Sequence, residues 1–241
     1  MNESPGKANK MAPIFRYPFG DAVGRGQDSV VMPLTGRQGY VVKINHSLRK
    51  EKTSPETIQM REQELLYKKK KYEMLRFFLG GFIPESFFVL GEQQDGDLKR
   101  VKGYTVQERV PDVKLSELSE EQLSDTRLLE NLHTLLSRLI FMRKIINRVN
   151  ESVPKDAQLD ARLDLGPISK LASRVYNPDD LKVDTLDLHA LSSPNLLVDP
   201  ETMNVYCVDF GRGEWSDEKE ASMLLAMNLA ENTKKLMSKK T

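Results

Sequence analysis

Cysteine is nearly absent from this chain, Cys207 being the only one in 241 residues. A lone thiol excludes an intramolecular disulfide and any cysteine-based zinc cluster, and it fits a reducing compartment. Histidine is almost as scarce: His46, His133 and His189 are widely separated, so a His-ligated metal centre is not expected. Neither sign of charge dominates. With 36 basic and 35 acidic residues the net charge is +1, and no global field argues for nucleic acid or an anionic membrane as partner. There is no long uncharged apolar run either, since the longest periodic segment, residues 128–149, carries Arg138, Arg143, Lys144 and Arg148. The opening MNESPGKANKMAP is polar and shows no targeting pattern, so the expected location is the cytoplasm.

What is present suits one globular domain of two lobes, or two small domains: 39% of residues are hydrophobic and 29% charged. Residues 1–12 read as a disordered tail, rich in Lys, Asn, Gly, Ser and Pro. From Phe19 to Ile44 the pattern is an antiparallel meander, with SVVMPL and YVVKI around the turn TGRQG. Ser54 then Pro55 marks a helix start, Leu65, Tyr72, Leu75 and Leu79 recur at helical spacing, and Gly80-Gly81 ends the helix. Two further strands, SFFVLG and YTVQERV, flank the polar hairpin EQQDGDLKR. The second half is different in kind. Leu128, Leu132, Leu135, Leu139, Met142, Ile146 and Val149 define one strongly amphipathic core helix. A further helix is expected within 157–176, then a hairpin, NLLVD-PETM-NVYCVD. A last helix runs from Asp217 to near Met237, with Met223, Leu224, Met227, Ala230 and Leu236 available for packing.

Several stretches carry chemistry. In VGRGQDSVV, Gly24 and Gly26 form a G-x-G between two strands, where residues without a Cβ let backbone amides approach a phosphate; Ser29 stands where a third glycine would complete the pattern, and Val31 follows. Two glycines in a hairpin are also what a plain turn requires. Lys43, on the strand after that hairpin, must be paired or ligand-bound if it faces inward, because an unpaired buried ammonium is too costly; the alternative is a lysine on the strand's solvent face. Lys68–Lys71 reads as a solvated helical face rather than an anion site. Asn195 opens a short apolar run and Asp209-Phe210-Gly211 closes the next, so an amide and a carboxylate oxygen can converge on one ion of the kind that prefers oxygen ligands, such as magnesium. Trp215 reads as a packing anchor.

This order of elements and motifs, over residues 19–215, resembles the protein-kinase-like superfamily. With a compact second half and no Ala-Pro-Glu after Gly211, it is closer to compact bacterial kinase-like proteins and to aminoglycoside or choline kinase relatives than to Ser/Thr kinases. The resemblance implies an α+β fold of two lobes. Residues 13–110 would form an N-lobe of five antiparallel strands with one long helix, and residues 111–241 a small, mainly helical C-lobe containing a metal-site hairpin at 194–211.

It also implies a site for ATP and Mg2+. Gly24, Gly26 and Val31 would cover the nucleotide, Lys43 would contact its phosphates, and a helical glutamate would orient Lys43. Spacing from Lys43 points to Glu62; counting back from the helix end points to Glu73, which is the preferred candidate. The hinge, Gln107, Glu108 and on to Val110, would meet the adenine edge, and Asn195 and Asp209 would hold the metal. The position of the family's catalytic aspartate is Ala190, so Asp187, in the local DLH, is the candidate base, with His189 a possible substitute. The implied activity is phosphotransfer to an unknown small-molecule or protein acceptor, with no nucleic acid and no membrane as partner. The alternative is a pseudokinase, a nucleotide-binding or scaffolding module without phosphotransfer.

Overall fold

The structure, a computed structural model, describes residues 20–25, 29–45, 54–95, 98–159, 195–208 and 215–238. Among these residues the architecture is α+β, with two antiparallel sheets and four α-helices. The larger sheet contains β1 (Gly24–Arg25), β2 (Ser29–Pro33), β3 (Tyr40–Asn45), β4 (Ser86–Asp95) and β5 (Leu98–Glu108) in the order β1-β2-β3-β5-β4. Because β1 is only two residues long, the four longer strands carry the sheet. Val30, Val31, Val41, Val42 and Ile44 account for the extended backbone of β2 and β3, since β-branched side chains suit the pleat. The turn between those strands needs Gly36 and Gly39, whose φ of 91° and 87° L side chains rarely adopt.

The helix α1 (Pro55–Leu79) follows its sequence signals at both ends. Ser54 accepts a hydrogen bond from the Thr57 N–H at 3.2 Å, and Pro55 occupies the first turn, where no N–H partner is needed. At the other end Gly80 turns the chain at φ 63° and donates its N–H to the Arg76 carbonyl. After the sheet come α2 (Glu120–Leu123), α3 (Thr126–Asn150) and, at the end of the chain, α4 (Asp217–Ser238). A second, small sheet has the order β6-β7-β8, from β6 (Val113–Lys114), β7 (Leu196–Val198) and β8 (Val205–Cys207).

The apolar stripe of α3 is buried along its whole length, from Leu128 to Val149, as its period requires. The same packed cluster takes in Met74, Leu75, Phe78 and Leu79 of α1, Met223, Ala226 and Ala230 of α4, and the inner residues of the β7–β8 hairpin; Trp215 packs against it. A smaller cluster, Leu34, Val42, Tyr104 and Val106, lies on the larger sheet.

The sequence offered Leu224 and Leu236 for packing, but they are 51% and 64% exposed, because the face that α4 turns inward is that of Ser222, Met223, Ala226 and Ala230, with Met227 and Leu229 at its border. Nor do Lys68–Lys71 form one solvated face. Consecutive helical residues are about 100° apart, so four of them cannot share a side. Lys68 pairs with Glu64, Lys70 with Glu73 and Glu220, Lys71 is buried over the Tyr67 ring, and Lys69 is exposed. The helix expected within 157–176 falls mostly outside the described residues. No helix among the described residues is long and apolar enough to cross a membrane.

Candidate functional site

Register places several candidate residues in one row. Gly24 lies opposite Val31, Val31 opposite Lys43, Lys43 opposite Thr105, and Thr105 opposite Phe88. Directly opposed residues of an antiparallel sheet share a face. This face is the one turned to α1: the Phe88 ring lies 5.6 Å from that of Tyr72, and a Cβ on Gly103, two residues from Thr105, would stand 3.0 Å from Leu65 Cδ2. Lys43 is thus an inward-facing, half-buried cation on a middle strand, which periodicity alone left open.

Its ammonium donates a hydrogen bond to the main-chain carbonyl of Val208, the residue before Asp209. Val208 in turn donates its N–H to the Asn195 carbonyl at 3.0 Å. One chain of contacts therefore joins Lys43 on the large sheet to the open end of the β7–β8 hairpin, where Asn195 enters and Val208 leaves.

The hairpin is held from behind. Leu196, Val198, Val205 and Cys207 alternate into the core. At its tip the Asp199 carboxylate accepts from Thr202 Oγ1 at 2.7 Å and the Glu201 N–H at 3.0 Å, and these bonds, the hydroxyl first, hold its pKa below the usual aspartate range. Met203 adopts φ 59°, and its carbonyl accepts from Asn131 Nδ2 of α3 at 2.9 Å. Cys207, fully buried, has its thiol pushed up to about 12 by burial. It stays protonated at neutral pH, which removes it as a nucleophile or thiolate ligand.

Leu197 and Tyr206 sit side by side on the hairpin's other face. Burial is the main cause that raises the Tyr206 pKa; a hydrogen bond with Asn204 opposes it, and the charges of Asp199 and Glu108 add to it. The sequence reading did not single these two out, although the alternation through NLLV and VYCV was the signal available.

At the end of β5 the main chain is partly used. The Glu108 N–H donates to the Glu85 carbonyl at 2.8 Å and the Arg109 N–H to the Gly39 carbonyl at 2.7 Å. Gln107 is paired in the ladder with Val41, so of the segment expected to meet a base, the Glu108 carbonyl and the Val110 N–H are main-chain groups without a hydrogen bond among the described residues. The Gln107 side chain, 2% exposed, donates through Nε2 to Ser86 Oγ at 3.0 Å.

Of the two helical glutamates, Glu73 pairs with Lys70 at 3.4 Å, and Lys70 reaches on to Glu220 of α4 at 2.9 Å. Glu62 lies half-buried on the same helix. Gly26, Asp187, His189, Ala190 and Asp209 fall outside the described residues. Among the described residues no cluster of three or more His, Cys, Asp or Glu is arranged to hold a metal ion.

No protein-family model matches the chain, and no curated protein matches it. Among solved structures the chain is similar to a thermostable mutant of aminoglycoside phosphotransferase APH(4)-Ia in its apo form. That match has a TM-score of 0.35 and 14% identity over 89% of this chain and 79% of that one. A ternary complex of a thermostable mutant of the same enzyme with ADP and hygromycin B gives 0.35 and 14% over 89% and 77%. The gentamicin complex of APH(2")-IIa gives 0.30 and 12% over 90% and 80%. At these scores the likenesses decide neither fold nor function, which rest on the residues.

Proposed function

We propose that the chain is a compact kinase-like phosphotransferase of two lobes, 13–110 and 111–241, which binds ATP with Mg2+ between the large sheet and the β7–β8 hairpin. The observation that carries this reading is the Lys43 ammonium, held on the inward face of a middle strand against the carbonyl of Val208. It supports a shared site for Lys43, Asn195 and the neighbouring Asp209, which the sequence keeps far apart.

The donor set suits the ion. Asn195 and Asp209 offer an amide and a carboxylate oxygen, the ligand type that Mg2+ prefers, while the nearby thiol is protonated and turned into the core. Bound there, Mg2+ would neutralise charge on the nucleotide phosphates. Lys43 holds phosphate oxygens, Gly24, Gly26 and Val31 cover them, and Glu73 or Glu62 orients the lysine. The Glu108 carbonyl and the Val110 N–H take the base edge. Asp187 accepts the proton of the acceptor hydroxyl as its oxygen bonds to the γ-phosphorus, the bond to the β-phosphate oxygen breaks, and ADP departs. Positioning and charge neutralisation supply most of the acceleration in such transfers.

A second reading is favoured by Ala190, which stands where the family's catalytic aspartate is expected. In it the same site binds nucleotide without transferring phosphate.

The thermal midpoint with ATP, with Mg2+ and with both, in wild type and Asp209→Ala, tests the site. A ligand that binds only the native state raises its stability, by about 2.7 kcal/mol at a hundred times Kd. The expected outcome is a rise that needs both components and is lost in the variant; no rise in wild type at millimolar ATP sinks both nucleotide readings. Single-turnover transfer in wild type and Asp187→Ala then separates enzyme from binder.

A further inference from the structure

We infer that Gln107 selects the base of the bound nucleotide, and that it selects a purine bearing an amine at position 6, as in adenine, over one bearing a carbonyl there, as in hypoxanthine or guanine. The inference rests on the nucleotide reading above and names what that site recognises.

Position comes first. Gln107 pairs with Val41, two residues from Lys43 on the same strand and therefore on the same face of the sheet. It precedes two main-chain groups left to meet a base edge, the Glu108 carbonyl and the Val110 N–H. It is also one of few polar side chains buried in the described residues, at 2% exposure.

The orientation of its amide is then dictated by its neighbours. Ser86 Oγ donates its single proton to the Pro84 carbonyl at 3.0 Å, so toward Gln107 it can only accept. Gln107 must present Nε2 to it, at 3.0 Å, which leaves Oε1 as the end of the amide that this network does not use. Ser86 is itself fixed, its N–H donating to the Tyr72 hydroxyl of α1 at 3.2 Å. The chain Gln107 to Ser86 to Pro84 therefore sets the wall as an acceptor.

An exocyclic amine carries two N–H groups. One suits the Glu108 carbonyl and the other Oε1. A base with a carbonyl at that position sets acceptor against acceptor in a poorly hydrated place, and a buried polar group denied its partner is the strongest basis for rejecting a close analogue. Ser86 is then a positioning residue: without its hydroxyl, Nε2 loses its partner and the amide is free to turn.

Calorimetric titration of the full chain with Mg-ATP and with Mg-inosine triphosphate tests this, in wild type, Ser86→Ala and Gln107→Met. Wild type is expected to prefer ATP by more than tenfold, of which about tenfold, the effect of one such hydrogen bond, comes from Oε1. In both variants the preference is expected to fall by about tenfold. A residual preference remains, because the Val110 N–H faces a ring nitrogen that is protonated in hypoxanthine. A merely structural role for Ser86 weakens both nucleotides alike and leaves the ratio unchanged. Equal binding of the two by wild type, or an unchanged ratio in either folded variant, overturns the inference and leaves the nucleotide site standing. Failure of wild type to bind either nucleotide overturns both.

Discussion

Two helices of 25 residues, α1 and α3, make up much of the core, and they bury different chemistry. The buried positions of α3 are all aliphatic or Met, from Leu128 to Val149. Those of α1 include Arg61 and Lys71 beside Leu65, Tyr67, Met74, Leu75, Phe78 and Leu79. The apolar share of α1 is concentrated in its last turns, where it joins the cluster around α3. Further back, its Leu65 meets the sheet at Gly103, and its Tyr72 packs against Phe88 and bonds to Ser86. Thus α3 fills the core, while α1 connects that core to the face of the sheet that carries Lys43 and Gln107. A helix with the second task has to keep polar groups among its inward residues.

The largest effect that would break this contrast is a cavity. Leu139, 1% exposed at the middle of α3, is expected to lose stability in the upper part of the about 2–5 kcal/mol range when changed to Ala. Leu65→Ala, at 8% exposure and outside the main cluster, is expected near the bottom of that range, about 2 kcal/mol. Urea unfolding of the two variants measures both; equal losses would mean that the two helices contribute alike.

A smaller effect is expected at the junction of the helices. At Gly80, φ is 63°, and an added Cβ would stand 2.7 Å from Arg138 Nη1. That same Nη1 donates to the Leu79 carbonyl at 2.7 Å, so α3 caps the end of α1. Gly80→Ala should cost about 1–2 kcal/mol from backbone strain, and more if the guanidinium is displaced. Arg138→Ala should add less in that background than alone, since both changes disturb one contact. Full additivity would place Arg138 outside the cap.

The aliphatic helix was the more legible of the two. A stripe such as that of α3 declares its face in the sequence, because every inward position is apolar. The ends of α1 were equally clear from Ser54, Pro55 and Gly80, whose conformational preferences act locally. Its inward face was clear only in part: Leu65, Leu75 and Leu79, which recur at helical spacing, are buried, but Lys71 belongs to a run that reads as solvated, and only the helical turn separates it from Lys69. The candidate site was half legible for the same reason. Asn195 and Lys43 stood out by residue type and spacing, but the inward direction of Lys43 depends on strand register. The contact to Val208 crosses 165 positions of sequence. Leu197, Tyr206 and Ser86 carry no chemistry that marks them alone, so only their neighbours give them a place.

The smallest effect sharpens the same comparison by pH. Glu64 of α1 lies between Arg61 at 3.0 Å and Lys68 at 3.2 Å. Burial alone would raise its pKa, but the charges and hydrogen bonds of Lys68 and Arg61 together outweigh that and hold it below the usual glutamate range. A carboxyl with a depressed folded pKa adds stability above its unfolded value and loses it as pH falls through the folded one. Glu64→Gln should therefore cost under about 1 kcal/mol at neutral pH, as pairs of this kind do. The gap from wild type should close as pH falls below about 4.3, the unperturbed glutamate value. Unfolding curves at several acid pH values measure it. The stripe of α3 has no such group, so Leu139→Ala should show a pH-independent loss over that interval. A gap for Glu64→Gln that stays constant into acid would mean that the ion pairs of α1 do not stabilise its buried face.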